Sequence, residues 1–385
     1  MKTISNTRSI RCFTKLQQLC MNSRYIIKSE RLLFSFLVPL FLVSCQPKSS
    51  VPALKEVFAN NFLVGATVSF DQISGAEPGV LPIVLKQFNT VTPENCMKWE
   101  NVNPKPNKYT FDKADAYVTF AEENNMFIIG HILIDIEQTP DWVYADCEGN
   151  TVQPDTLLKR MREYIRTVVG RYKGRIDAWQ VVNYAIGRDG NYTKTKWYNI
   201  IGEEYVIKAF EYAHEADPNV ELYYNGFDML TPEATTSIVQ LVSKIKSKGF
   251  RIDGIGVQAH WKLETPALEE VENGILNLAK SGCKIMITEM DITVLPRSGD
   301  ELNPYPNELP KEIQEKLAKR YADLFTIFYK HSDIIDRVNF WGIHDGQSWL
   351  NNWPFENRTD YPLLFDRNLE PKPAFFEVVK VGIQK

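Results

Sequence analysis

Short apolar runs alternate with longer amphipathic segments along most of this chain. The runs are rich in β-branched residues and are typical of strands buried on both faces, while the segments between them repeat apolar residues at helical spacing. Strands that alternate with helices predict a parallel sheet, and eight such units predict a closed (β/α)8 barrel, an α/β fold. The predicted strands cover 62–69, 89–93, 126–134, 176–184, 221–227, 254–260, 284–292 and 335–344, and the predicted helices cover 81–88, 111–125, 157–172, 204–216, 232–248, 267–281, 311–331 and 373–383.

The alternative fold is an open, doubly wound sheet. That fold is usually accompanied by a glycine-rich phosphate-binding turn after the first strand, and the sequence has no such turn there. We therefore expect a single barrel domain over residues 59–385.

The N-terminal segment does not follow the strand–helix pattern. Lys28 and Arg31 precede an apolar run, 32–43, which is too short to span a bilayer and is typical of a signal-peptide core. The run ends in Leu-Val-Ser-Cys45, which resembles the lipobox of bacterial lipoproteins. We predict a signal peptide over 1–44, lipid attachment at Cys45 and a tether over 45–58. An ordinary signal peptide that happens to end near a Cys is the alternative, and translation could start at Met1 or at Met21.

The predicted location is therefore that of an exported bacterial lipoprotein, held to a membrane only by its lipid anchor, in the periplasm or at the cell surface. The 385-residue chain has a formal net charge of −4, and residues 1–44 contain seven Lys or Arg and one Glu, so the mature chain is near −10. No long basic stretch suggests nucleic acid, and an acidic exported protein suits neutral sugar ligands better than polyanions.

Three cysteines remain after the predicted lipid site: Cys96, Cys147 and Cys283. Their wide spacing indicates neither a disulfide framework nor a zinc site, although one disulfide stays possible.

A carboxylate lies near the end of the seventh predicted strand, at Glu289. In a parallel barrel the carboxyl ends of the strands form the face that carries active sites, and a rigid strand can aim a nucleophile accurately. Taken alone, Glu289 could equally belong to a structural ion pair.

Polar and aromatic side chains follow seven of the predicted strands at the same face. This mixture suits sugars, because hydroxyls pair with amides and carboxylates while sugar rings pack on indoles. A metal site using His131, His260 and Asp345 is a weaker alternative, because these residues lie singly on separate strands. The fifth strand ends in Tyr224-Asn225-Gly226-Phe227-Asp228. The other six strands carry the phrases Thr-Pro-Glu94-Asn95-Cys-Met-Lys98-Trp, Gly-His131-Ile-Leu, Gln138-Thr-Pro-Asp-Trp, Trp-Gln-Val-Val-Asn183, Gly-Ile-Gly-Val-Gln258-Ala-His260, Ile-Thr-Glu289-Met-Asp-Ile and Phe-Trp341-Gly-Ile-His-Asp-Gly-Gln-Ser-Trp349.

In this order the phrases resemble glycoside hydrolase family 10, the retaining endo-β-1,4-xylanase family, over roughly residues 60–383. The resemblance implies a xylanase-type enzyme that acts on xylan or related β-1,4-glycans, without a cofactor or a metal. It makes Glu289 the nucleophile, with His260 hydrogen-bonded to it and Gln258 beside them. It further implies that Asn183 holds the sugar 2-hydroxyl, that Lys98, His131 and Trp349 line the cleaved-sugar subsite, and that Glu94, Asn95, Gln138 and Trp341 hold the next sugar on the non-reducing side.

The sequence departs from the family where the proton donor is expected. The family has a Glu after the strand-four Asn, whereas this chain has Tyr184, and a phenol with an ordinary pKa near 10 is a weak acid toward a glycosidic oxygen. Gln180 replaces a family Asp, and Asp135-Ile136 replaces a family Trp-His pair. One hypothesis is that Asp135 takes over proton donation, through Tyr184 or a water, with Glu137 as a second candidate. The other is that Asp135 and Tyr184 hydrogen-bond each other in a silent site.

Two functions follow from the sequence. The first is a retaining glycosidase with an altered or impaired acid/base group, acting in polysaccharide breakdown. The second is a catalytically silent lipoprotein that binds xylan-like glycans in the same cleft. The oligomeric state is left open, and a monomer is compatible with a single barrel.

Overall fold

The computed structural model describes residues 51–299 and 301–384, in which eight parallel strands close into a barrel. Closure is direct, since β1 pairs in parallel with β2 on one side and with β8 on the other. The (β/α)8 prediction is confirmed, and the open-sheet alternative is wrong. The strands are β1 Leu63–Val68, β2 Thr90–Pro93, β3 Phe127–Gly130, β4 Ala178–Asn183, β5 Glu221–Gly226, β6 Gly254–Val257, β7 Lys284–Thr293 and β8 Ile335–Phe340.

In the described part of the chain, eight longer helices surround the barrel and match the predicted segments closely. Several begin with sequence signals for a helix start: Thr231 accepts a hydrogen bond from the amide of Ala234, and Pro232 occupies the first helical turn. The helices span Val80–Gln87, Asp112–Glu123, Pro154–Arg171, Glu204–Ala216, Pro232–Ser247, Leu268–Ala279, Lys311–Lys330 and Pro373–Ile383. Shorter helices span Leu54–Val57, Phe70–Ile73, Trp99–Val102 and Lys196–Ile201, with 3-10 turns at Asp141–Val143, Asp345–Gln347 and Trp349–Asn351.

β7 is the longest strand, and every residue in it except Lys284 is buried. Its last residues pair with a short parallel strand, His260–Lys262, in a register that places His260 opposite Asp291. This extension carries His260 beyond the end of β6 and sets it at the same barrel face as Glu289 and Asp291.

The folded domain begins earlier than the predicted boundary at residue 59. Ala53, Leu54 and Phe58 are buried, and Leu54–Val57 packs against the C-terminal helix so closely that a Cβ on Gly382 would lie 2.8 Å from Val57. The later part of the predicted tether is therefore part of the fold, because its apolar side chains cover the end of that helix. The predicted signal peptide and Cys45 lie outside the described residues.

Cys96, Cys147 and Cys283 are all free thiols in the structure, and Cys96 and Cys283 are buried. Across residues 51–299 and 301–384, no helix combines the length and apolar character needed to cross a membrane.

Candidate active site

Glu289 lies on β7 with only 4% of its surface exposed. Its Oε1 accepts a hydrogen bond of 2.8 Å from Nδ2 of Asn225, and its Oε2 lies 3.2 Å from Nε2 of His260. Burial pushes the pKa of the Glu289 carboxyl upward, but the hydrogen bond and positive charge of His260 and the Asn225 amide outweigh it, so the pKa lies below its ordinary value. Glu289 is therefore a buried carboxylate that stays ionised, as an attacking nucleophile must.

His260 connects Glu289 to a second carboxylate. Its Nδ1 lies 2.9 Å from Oδ2 of Asp291, which also accepts a hydrogen bond of 2.8 Å from the indole of Trp349. Burial alone would lower the pKa of His260, but the two flanking carboxylates raise it to about 9. The imidazole is thus protonated at neutral pH, and its two N–H groups donate to Asp291 and Glu289.

A chain of amides leads from Glu289 in the other direction. Oδ1 of Asn183 accepts from Asn225 at 3.2 Å and from Nε2 of Gln258 at 2.8 Å. The phenol of Tyr184 in turn donates to Oε1 of Gln258 at 2.9 Å. Thr288 donates to Oδ1 of Asn225 at 2.9 Å, which leaves the Asn225 amide hydrogens facing Asn183 and Glu289.

Tyr184 is half-buried and has left-handed backbone geometry, with φ of 60°. Burial raises the pKa of its phenol well above the ordinary value, and the negative charges of Glu289, Glu137 and Asp135 raise it further. The phenol therefore holds its proton firmly. It can donate a hydrogen bond at this position, but it is a poor source of a proton.

Asp135 is buried, with 6% of its surface exposed, and its Oδ1 accepts from the amide of Glu137 at 3.0 Å. Its charge acts on both Tyr184 and His131, which places the carboxylate in the neighbourhood of the site. Within the described residues no hydrogen bond joins Asp135 to Tyr184, because the phenol is bonded to Gln258 instead. The hypothesis that these two side chains bond each other is therefore wrong. The side chain of Glu137 is exposed.

His131, Lys98 and Trp341 lie together beside this network. The His131 ring lies 5.2 Å from the Trp341 ring and is hydrogen-bonded to Gln180, while Nζ of Lys98 lies 5.9 Å from the centre of the same indole. Burial lowers the pKa of His131, and Lys98 lowers it further against the opposing charge of Glu289. The cluster thus combines a cation with a neutral imidazole over an aromatic ring, a surface that can hold sugar hydroxyls.

Glu94 and Asn95 continue the same surface. Nζ of Lys98 donates to Oδ1 of Asn95 at 3.0 Å, and burial raises the pKa of Glu94 although Lys98 opposes the shift. Gln138 donates instead to Glu100 at 3.0 Å and makes no side-chain bond to Glu94, Asn95 or Lys98.

An open cavity of about 470 Å³ adjoins the surface formed by Glu94 and Asn95. It is lined by Ser69, Phe70, Asp71, Glu94, Asn95, Cys96, Asn101, Thr110, Asp112 and Lys113.

The metal-site alternative does not fit the observed contacts. Asp345 is fully buried and pairs with Lys372 at 2.9 Å, and His260 is occupied by two carboxylates. Within the described part of the chain, no group of three His, Cys, Asp or Glu side chains is arranged to hold a metal ion.

Two residues of the network, Asn225 and Asp291, were not among the predicted site residues. Asp291 follows Glu289 by two positions, so strand periodicity places both side chains on one face. Asn225 occupies the end of β5 as Asn183 occupies the end of β4, and the two are partners in the β4–β5 register. Both signals were present in the sequence.

Comparison with known proteins identifies one family over nearly all of the described residues. The model of glycosyl hydrolase family 10 matches residues 53–381. An endo-1,4-beta-xylanase A from Xylanibacter ruminicola is 40% identical over 86% of this chain and 93% of that relative, and a beta-1,4-xylanase from Dictyoglomus thermophilum is 42% identical over 86% of this chain and 91% of that relative. An endoxylanase structure from a sugarcane soil metagenome has a TM-score of 0.83 at 41% identity, covering 86% of this chain and 99% of that one.

Proposed function

This chain belongs to glycosyl hydrolase family 10, and from that premise we propose that it is a retaining glycosidase for xylan-like β-1,4-glycans with Glu289 as nucleophile. The observation that carries the proposal is the environment of Glu289. The carboxylate is buried, held at both oxygens by Asn225 and His260, and kept ionised by them. Burying an ionised carboxylate costs free energy unless hydrogen bonds and opposite charges compensate it, and such groups cluster at functional sites. The Glu289 carboxylate is linked to amide side chains on one side and, through His260 and Asp291, to the indole of Trp349 on the other.

In the proposed reaction, one Glu289 oxygen attacks the anomeric carbon and forms a glycosyl ester as the bond to the leaving sugar oxygen breaks. That oxygen must gain a proton. Water then attacks the same carbon, the ester bond breaks, and Glu289 returns as a carboxylate while the water proton leaves. Asn183 is proposed to hold the sugar 2-hydroxyl, and Lys98, His131, Trp341 and Trp349 to line the sugar-binding surface.

We propose that Asp135 supplies the proton for the leaving oxygen, acting through a water. The support is that its negative charge acts on Tyr184, the residue at the position where the family resemblance expects the acid. Tyr184 stands at that position in the sequence. Its high pKa and its bond to Gln258 argue against a role as the acid. Glu137, exposed at the rim, is the second candidate.

An aryl β-xylobioside with an activated phenol tests the nucleophile directly, because a good leaving group departs without a proton. We expect a burst of phenol equal to the enzyme concentration and a covalent adduct on Glu289 seen by mass spectrometry. The Glu289→Gln variant, which should still bind, gives no burst. A burst that survives in this variant would refute the assignment.

A second function, glycan binding without hydrolysis, is favoured by one observation: the phenol at position 184 is bound to Gln258 and holds its proton firmly. In that case xylo-oligosaccharides bind to the wild-type protein in calorimetry, and neither xylan nor the aryl glycoside yields product.

We also propose that the mature protein is an exported lipoprotein attached through Cys45. Expression in a bacterial host with labelled palmitate tests this, with Cys45→Ser as the control. Labelling of both proteins, or of neither, would contradict the proposal.

A further inference from the structure

An exposed indole lies next to the aromatic side of the site. The Trp353 side chain is 41% exposed, and its ring lies 5.0 Å from that of Trp349. Trp349 in turn lies 5.0 Å from the ring of His260, the partner of Glu289. The three rings therefore form a continuous row from the nucleophile to the protein surface.

Arg297 connects the two ends of this row. Its guanidinium carbon lies 4.8 Å from the centre of the Trp353 ring, and its Nη2 donates to the backbone carbonyl of His260 at 3.3 Å. Its Nε is buried and has no hydrogen-bond partner among residues 51–299 and 301–384. A guanidinium carries five N–H donors, so most of the capacity of Arg297 is unused in this part of the structure.

Three acids of the described residues act on Arg297 through their charge, and none of them pairs with it. Asp291 is bonded to His260 and Trp349, and Asp228 pairs with Arg188 at 2.7 Å. Asp360 accepts bonds from Thr293 and from the backbone amides of Val294 and Tyr361. In the described structure each acid is engaged elsewhere, and Arg297 forms no salt bridge.

A second arginine in the same loops, Arg358, has a structural role. Arg358 has only 6% of its surface exposed and donates to three backbone carbonyls, those of Leu302, Trp353 and Pro296, at 2.8 to 3.0 Å. These bonds fix the loop of Arg297 against the loop of Trp353. The indole and the guanidinium are thus held in place before any ligand arrives, which lowers the entropy cost of binding.

We propose that Arg297 and Trp353 form a subsite for a uronic acid unit on the glycan held in the Glu289 cleft. Arg297 receives the carboxylate, and Trp353 packs against the face of the sugar ring. Guanidinium groups pair with carboxylates in a planar, often bidentate arrangement, and sugar faces pack on indoles. The inference rests on the proposed function, because it assumes that a β-glycan occupies the neighbouring cleft.

Three matched ligands test the subsite by calorimetry with the Glu289→Gln full chain, in which hydrolysis cannot interfere. They are a xylo-oligosaccharide with one glucuronic acid branch, the same compound with the carboxyl reduced to an alcohol, and the unbranched oligosaccharide. We expect the acidic ligand to bind roughly tenfold more tightly than its reduced form, as a charged hydrogen bond provides. The preference should shrink as salt is raised.

Arg297→Met should remove this preference while the affinity for the unbranched ligand stays within about twofold. Trp353→Ala should weaken both branched ligands equally. Arg162→Met, which breaks an exposed ion pair with Glu215, is the matched control. It should change neither the preference for the acidic ligand nor the affinity for the unbranched one. Equal binding of the acidic and reduced ligands, or a preference that survives Arg297→Met, overturns the subsite alone. Failure of all three ligands to bind overturns the proposed function and the subsite together.

Discussion

The phenol of Tyr184 donates a hydrogen bond of 2.9 Å to Oε1 of Gln258. This bond orients the Gln258 amide so that Nε2 faces Asn183 at 2.8 Å. Tyr184 therefore supports the amide chain that ends at Glu289. A Glu at this position would change two things: it would add a carboxyl group that can give a proton, and it would remove the phenol that orients Gln258.

The first prediction concerns Tyr184→Glu. If position 184 is where the family places its acid, a carboxylic acid there protonates the leaving oxygen, and we expect turnover of xylan to rise by roughly 10²-fold. Release of an activated phenol should change much less, because it needs no acid. The two rates are measured side by side. A folded variant with unchanged xylan turnover would mean that another group already supplies the proton, as proposed for Asp135.

The second prediction concerns Asp135→Asn, which keeps the size of the side chain and removes its proton. If Asp135 supplies the proton, kcat on xylo-oligosaccharides falls by about 10²-fold or more, while burst formation from an activated aryl glycoside is retained. Glu137→Gln serves as the comparison, since Glu137 is exposed at the same loop. An equal loss on both substrates would mean that Asp135 acts on the structure of the site.

The third prediction concerns pH. The pKa of His260 rises from 6.5 to about 9 on folding, so the folded protein keeps a proton that the unfolded chain releases between these values. Its stabilisation is complete below about pH 6.5 and is lost as the pH rises through about 9. The free energy of unfolding should therefore fall by on the order of 3 kcal/mol across this window. Urea titrations at several pH values measure this free energy. If it depended on pH in the same way for the wild type and for His260→Gln, the raised pKa would not belong to His260.

The fourth prediction concerns Gly256, where a Cβ would clash with Oδ1 of Asn225 and lie 2.7 Å from Cγ2 of Thr288. Gly256→Ala should displace Asn225 from Glu289, raise the pKa of that carboxyl and move the acid limb of the aryl-glycoside pH profile upward. Overpacking should also cost about 1–3 kcal/mol of stability. Gly170→Ala is the control, because nothing lies within 4 Å of its added Cβ and helix propensity favours Ala. Unchanged profiles in both variants would refute the packing argument.

The fifth prediction concerns Lys372, which donates to Asp345 at 2.9 Å and to the carbonyls of Tyr361 and Leu363 at 2.7 Å. Lys372→Met leaves the Asp345 carboxyl buried without its cation, at a cost of about 3–5 kcal/mol in unfolding free energy. Lys311→Met, which breaks an exposed pair with Glu315, should cost less than about 1 kcal/mol. Similar losses in the two variants would contradict the role of burial.

The sequence predicted the barrel because its signals are long and repeated: β7 is a ten-residue run that is mostly apolar or β-branched, and the helix Pro154–Arg171 repeats apolar residues at helical spacing over 18 residues. The short strand His260–Lys262 was missed, since three residues carry no period. The start of the domain was placed too late because the helix Leu54–Val57 is held by contact with the distant C-terminal helix.

The site was predicted residue by residue where a strand end carried a polar group, as at Glu289 and Asn183. The sequence could not predict which side chains of the site hydrogen-bond each other. Tyr184 could have bonded Asp135 or Gln258, and only the folded register, with Ala259 at φ 63° turning the chain between Gln258 and His260, selects Gln258.

Because β1 pairs with β8, the barrel can close only after the last strand has been synthesised. A chain made from its N-terminus carries β1 with one unpaired edge until residue 340 has been synthesised, and such an edge invites pairing with other chains. Termination between Thr293 and Ile335 would leave β1 and β7 each with an open side, and earlier termination would still leave β1 open on the side that β8 covers. Truncated forms should therefore accumulate as aggregates rather than as smaller soluble domains.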